Sequence, residues 1–173
     1  PLKGNVFFPG VIIPINAGRE KSVKLIKTAY KNKQIIGIVA QKSADIEDPT
    51  TADLYKVGTM AKVIKTLNMP DGTTMVILQG MDRFSLEELV QTEPYWVGKA
   101  VEYPDGAKEL PENYMALAEA VKDMYLRVLK MVPNIPADPS FAIQNIENPY
   151  FLLNYVAAHL DVNVSEKQKL LET

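Results

Sequence analysis

The chain has no cysteine among its 173 residues, one histidine and one tryptophan. Without cysteine there can be no disulfide, no thiolate metal ligand and no thiol nucleophile. That fits a reducing compartment, and a cytoplasmic location is expected. A metal site would have to be built from carboxylates, and Asp45-Ile46-Glu47-Asp48 lacks the alternating ligand spacing and the glycine of a calcium loop. There is little excess charge of either sign: 19 basic residues face 21 acidic ones, for a net charge of −2. Bulk electrostatics therefore draw the chain to neither nucleic acid nor an anionic membrane. Long apolar runs are missing too. The longest, Val11 to Ile15, is broken by Pro14 and falls far short of the roughly 20 residues that a membrane helix needs. With 47% hydrophobic residues, the composition still supports a folded core rather than disorder.

Signatures of catalysis are equally scarce. No phosphate-binding loop is present, and the nine glycines are scattered. Ser22, Ser43, Ser85, Ser140 and Ser165 all lie outside a G-x-S-x-G elbow. Glu87 and Glu88 are adjacent on an expected strand, so they point to opposite faces and cannot share a substrate. His159 lies on an apolar helix and reads as a packed, hydrogen-bonded residue. No catalytic, cofactor-binding or metal-binding residue is assigned to this chain.

What is present is a change of pattern near residue 106. Residues 1–106 are strand-like, with about seven short strands that suggest a small barrel or sandwich. Val6-Phe7-Phe8 and Val11 to Ile15 read as apolar strand runs. Glu20 to Asn32 is an amphipathic helix with Val23, Ile26, Ala29 and Tyr30 on one face. Gln34 to Gln41, Tyr55 to Asn68, Thr73 to Gln79, Arg83 to Thr92 and Tyr95 to Tyr103 are further strands. Residues 107–173 are helix-like. A long helix is expected from Pro111 to Met131, with Tyr114, Leu117, Val121, Met124, Val128 and Met131 in a 3,4-spaced stripe. That stripe suits packing on neighbouring helices or a short coiled coil. Helix starts follow at Asp138-Pro139, Asn148-Pro149 and Ser165, the last read as a capping box with Gln168. The chain starts at Pro1 without an initiating Met and ends in a charged helical run, so it is expected to be a piece of a longer protein.

The best-marked local structure is the hairpin from Tyr55 to Phe84. Pro70-Asp71-Gly72 suits a three-residue turn, with glycine in the left-handed position. Gly58 and Gly80 read as turn or bulge residues. Met60, Met69, Met75 and Met81 cluster around it. They either fill the barrel or present an adaptable apolar surface. Met69 and Met75, nearest the tip, are the candidate substrate-contact residues. Arg19 and Arg83 are expected to pair with carboxylates.

Several segments, in order along the chain, resemble one family. They are Val6-Phe7-Phe8-Pro9-Gly10 with Ile13-Pro14-Ile15, Ala17 to Ser22, Val39-Ala40-Gln41-Lys42, Asp53 to Ala61, Met69 to Thr73, Gly80 with Arg83, Ala157 to Leu160, and Glu166 to Glu172. This pattern is similar to the N-terminal (LON) domain of the ATP-dependent protease Lon. The resemblance implies an α+β fold: a PUA-like β-barrel with one packed helix, followed by a C-terminal helical bundle. It implies a non-catalytic domain that helps recognise misfolded or degron-bearing proteins and helps organise a homohexamer. ATP, Mg and a Ser-Lys serine protease centre would belong to modules outside these residues. A stand-alone LON-domain binding module or ubiquitin-ligase adaptor is the alternative, with a PUA-type RNA binder behind it.

Overall fold

The computed structural model describes residues 1–70, 72–103, 112–131 and 142–173. Asp71, the second Pro-Asp-Gly at 104–106, the helix start at Pro111 and the Asp138-Pro139 start lie outside the described residues. Within them, five strands make one antiparallel sheet: β1 (Ile12–Ala17), β2 (Ile35–Ile38), β3 (Val57–Asn68), β4 (Thr74–Gln91) and β5 (Val97–Glu102). The order is β1-β4-β3-β2, and β5 pairs with the distal half of β4. Helices α1 (Glu20–Asn32), α2 (Tyr114–Met131), α3 (Pro149–His159) and α4 (Val164–Glu172) complete the α+β fold. The sheet is open among the described residues, and barrel closure is not seen there.

Two expected strands are one. β4 runs unbroken for 18 residues, and Gly80 lies inside it rather than at a turn. The reason is a close approach. A Cβ on Gly80 would run into the carbonyl oxygen of Phe8. The same contact is tied by Gly10 N–H donating to Gly80 O (3.1 Å) and Gly80 N–H donating to Val11 O (2.9 Å). Gly58 is likewise within β3, where a Cβ would meet the Ile38 carbonyl. Gly72, with φ of 83°, does take the left-handed turn position. Val6, Phe7 and Phe8 form no strand. They are an irregular plug, each at most 3% exposed. Its polar backbone is satisfied in part by the Thr59 hydroxyl, which donates to Phe7 O.

Strand alternation divides the sheet into two faces. Ile13, Ile15 and Ala17 of β1, Val76 and Leu78 of β4, Ala61 and Val63 of β3, and Ile36 of β2 face inward. They pack with the 6–8 plug and with Ile26 and Ala29 of α1. On the opposite face a smaller cluster of Val39, Leu54 and Phe84, joined by Met60 and Trp96, covers the end of the sheet away from the hairpin.

Ala118 of α2, Leu152 and Val156 of α3, and Ile143 and Ile146 just before α3 form a second buried cluster. The expected α2 stripe splits. Tyr114 and Val121 are half-buried, while Leu117, Met124, Val128 and Met131 are exposed. The buried line instead runs through Ala118, Val121, Tyr125 and Leu126. α4 returns to the sheet. Leu171 is 2% exposed in the sheet's core. Gln168 Nε2 donates to Val57 O (3.0 Å), and Arg83 Nη1 donates to Leu171 O (2.8 Å). Packing therefore crosses the change of pattern near residue 106.

The helix starts also separate into right and shifted. Asn148 caps α3 by accepting from Phe151 N–H (3.0 Å), with Pro149 in the first turn. α4 is capped by Asn163 rather than Ser165. Asn163 Oδ1 accepts from Glu166 N–H (2.9 Å), and Glu166 Oε2 accepts from Asn163 N–H (3.3 Å). Replacing Asn163 with alanine is expected to lower stability by about 1 kcal/mol, whereas Ser165→Ala costs less. Urea midpoints of the two variants check the assignment, and the reverse order would return the cap to Ser165.

Candidate functional site

The bare part of the sheet is its outer face at the hairpin end. The register places Leu67 opposite Met75, Lys65 opposite Ile77 and Lys62 opposite Gln79. From the other side Asn16, Pro14 and Ile12 stand opposite the same three β4 residues. Directly opposed side chains of this kind lie within contact range. Ile12 is 59% exposed and Leu67 41%, while Met75 and Ile77 between them are half-buried. The face is thus an apolar strip edged by Lys62 and Lys65. Apolar side chains grouped on an open sheet face are unlike scattered surface leucines and make this face a candidate interaction surface.

A one-residue shift of register makes this strip. Ala61 and Val63 face inward, and simple alternation would send Lys65 and Leu67 inward too. The shift between Val63 and Lys65 inserts Ile64 as an extra residue, so Thr66 turns in and Leu67 turns out. Met69 sits beyond the strip at the turn. Its N–H donates to Thr73 O (2.9 Å), and its carbonyl accepts from Gly72 N–H (3.1 Å). Met69 and Met75 are therefore near one end of the sheet, and Met75 shares its face with Leu67 and Ile77. Met81 is at the margin of exposure and Met60 packs with the Phe84 cluster. Sequence reasoning missed Leu67, Ile77 and Ile12, because face assignment depends on the register shift.

Other polar features have structural partners. Arg19 Nη2 donates to Gln41 Oε1 (2.8 Å), an amide rather than the expected carboxylate. Arg83 is 5% exposed, donates to a backbone carbonyl and lies 5.1 Å from the centre of the Tyr103 ring. His159 is exposed, its Nδ1 lies 2.7 Å from Tyr155 O, and its ring stacks on Tyr155. Burial raises the phenol pKa values of Tyr125 and Tyr155 at the α2–α3 contact. Among the described residues no group of three or more His, Asp or Glu could hold a metal ion. No described helix is long and apolar enough to cross a membrane.

An α+β domain with an open antiparallel sheet, a buried N-terminal plug and a bare apolar sheet face is what the geometry defines. Residues 1–173 match the family model for the ATP-dependent protease La (LON) substrate-binding domain, and the chain belongs to that family. It is 44% identical over 175 aligned residues to the Lon protease of Flavobacterium johnsoniae and 41% identical to that of Cytophaga hutchinsonii. Each alignment covers 99% of this chain but 21% of the relative, so the chain spans about a fifth of their length. The N-terminal domain of Mycobacterium avium complex Lon protease superposes with a TM-score of 0.73 at 16% identity, covering 99% of this chain and 87% of that one. The Lon N-terminal domain protein from Xanthomonas campestris gives 0.54 at 17% identity, covering 91% and 94%. At such identities the two structures speak for the fold alone.

Proposed function

We propose that this chain is the substrate-capturing, non-catalytic part of a Lon-type ATP-dependent serine protease. It holds exposed apolar segments of misfolded or degron-bearing proteins against the outer sheet face around Met75, Leu67, Ile77 and Ile12, with Met69 at the rim. The observation that carries this is the bare apolar face, in a chain whose whole length matches a substrate-binding domain family. Damaged proteins expose apolar residues, and an adaptable surface containing methionine takes many sequences weakly. Copies arrayed in a homohexamer would convert weak contacts into avidity. ATP, Mg and the Ser-Lys centre belong to the remainder of the parent protein, which works in the cytoplasm. The PUA-like barrel, the C-terminal helical bundle and the division at residue 106 belong to the same proposal.

The test is binding of a permanently unfolded protein, such as reduced carboxymethylated lactalbumin, followed by anisotropy. Met75→Gln combined with Leu67→Gln is expected to weaken binding about tenfold, from the apolar area lost to the contact. Ile12→Gln, at a site too exposed to support the core, is expected to weaken it by about threefold. Unchanged binding in folded variants would overturn the assignment of this face. Binding that falls steeply with salt and is matched by single-stranded RNA would favour the PUA-type reading instead.

A further inference from the structure

β2 stops short of its neighbour. Its first residue, Ile35, stands opposite Lys62, while β3 continues to Asn68. The end of α1 sets this limit. Lys33 takes a left-handed backbone, with φ of 54°, and Gln34 N–H donates back to Ala29 O (2.9 Å), so the chain enters the sheet only at Ile35. Residues 63–68 therefore have β4 on one side and, among the described residues, no strand on the other. The turn fixes the phase of the ladder. Met69 N–H donates to Thr73 O. By alternation Leu67 and Lys65 also bond toward β4, while Thr66 and Asn68 turn their N–H and C=O groups outward. The opposite edge of the sheet differs. Gly80 N–H donates to Val11 O, and the same alternation turns the Pro14 nitrogen outward, where it has no hydrogen to donate. No proline interrupts the open stretch of β3.

A cavity of about 340 Å³ stands at the inner end of this stretch, lined by Ala29, Tyr30, Lys33, Gln34, Lys62 and Val63. The lining brings two lysines and no carboxylate, and among the described residues neither lysine is in an ion pair. Neither chain end lines it. Leu2 bridges Ala40 beyond the far end of β2, and Gln168 of α4 bonds to Val57 at the far end of β3.

We infer that this edge takes the C-terminal segment of another polypeptide as an added antiparallel strand. Thr66 and Asn68 each offer one backbone donor and one acceptor to it. An antiparallel arrival continues the line of β2 and points its own C-terminal end at Gln34. The terminal carboxylate then enters the cavity, where Lys33 and Lys62 supply the opposing charge. Alternate side chains of the added strand lie beside Leu67 and extend the apolar strip, and the others turn toward α1. The inference rests on the capture reading for what the strand is, an unfolded substrate chain. It adds the backbone pairing, the direction and the chain end.

The probe is a fluorescein-labelled hexapeptide alternating threonine and valine with a free C-terminus, followed by anisotropy with the intact chain. Saturable binding at sub-millimolar concentration is expected. The C-terminal amide is expected to bind about fivefold more weakly. Lys33→Gln with Lys62→Gln is expected to weaken the acid by a similar factor and to leave the amide unchanged. Both lysines are exposed, so this double variant keeps the fold. Two further probes carry N-methyl groups on the threonine amides or on the valine amides. In a strand these sets point to opposite edges. One is expected to weaken binding by about tenfold or more, the other by less than about twofold. Equal binding of acid and amide, equal loss from the two methylated probes, or no saturation would overturn the inference. Capture is judged separately, by lactalbumin binding to Met75→Gln with Leu67→Gln. If that variant loses lactalbumin but the methylated probes do not separate, the edge site falls and the face stands. If it binds lactalbumin normally while acid, amide and methylated probes separate as expected, the edge site stands without the capture role.

Discussion

Gly80→Val is expected to lower stability by about 3 kcal/mol or more, enough to unfold much of the population at 37 °C. The position is central in β4 and the plug residue Phe8 sits directly over it. A side chain has no rotamer that avoids the Phe8 carbonyl, because the clash begins at Cβ. Relief would require the 6–11 segment to lift. That would break the bonds Gly10 N–H to Gly80 O and Gly80 N–H to Val11 O, and it would unseat Phe8, a ring 1% exposed in the core. Gly80→Ala suffers the same first contact and is expected to fall between valine and wild type. Gly72→Ala is the control. Nothing lies within 4 Å of a Cβ there, and the cost is the left-handed backbone alone, about 1 kcal/mol. Urea unfolding of the three variants separates close approach from turn geometry. A Gly80→Val protein as stable as Gly72→Ala would mean that the plug is not seated on β4.

Much of the fold is readable where one short stretch carries its own periodicity. Ile26 and Ala29 follow helical spacing, and they are the buried residues of α1. Pro70 and Gly72 mark the turn, and Asn148-Pro149 marks a helix start, because each acts through local backbone preference. The misses share a different cause. The plug at Val6 to Phe8 is apolar without a period, so a strand is the natural reading of a segment that the structure buries irregularly. Gly80 is required by a residue more than seventy positions earlier, and nothing beside it in sequence announces that. Asn163 and Ser165 offer overlapping capping boxes. The choice falls to Asn163 because Val164 packs against the core and must already be in the helix.

The candidate face is legible in part for the same reason. Met75 can be picked by its nearness to the turn, but its neighbours cannot. Leu67 faces out only because Ile64 is inserted ahead of it, and a register shift leaves little local trace. On α2, the 3,4-spaced stripe is real as a pattern, yet the packed line is rotated toward Ala118 and Tyr125. A small residue lets α3 approach closely, and a scan for large apolar residues passes over alanine.

Removing residues 164–173 is expected to destabilise the strand region, although those residues lie far beyond residue 106. Leu171 would leave a hole in the sheet's core, a loss of about 2–5 kcal/mol by analogy with large-to-small core changes. Val57 O would lose the Gln168 amide, and Tyr103 OH would lose its acceptor at Glu172 O (3.0 Å). Arg83, 5% exposed in the intact protein, would lose its bond to Leu171 O. Losing a charge-assisted hydrogen bond of this kind is costly. The expected result for the 1–163 fragment is a urea midpoint lowered by at least half, together with loss of the near-ultraviolet signal of Trp96. Arg83→Met in the intact protein separates the contributions. It removes the charge that needs an acceptor and keeps the bulk, so it is expected to cost about 1–2 kcal/mol, less than the truncation. If the 1–163 fragment unfolds at the midpoint of the intact protein, the strand region is an independent unit and α4 only rests on it. A fall in that midpoint would instead make the C-terminal helix part of the sheet's own core, so that the hairpin-end face and α4 share one folding unit.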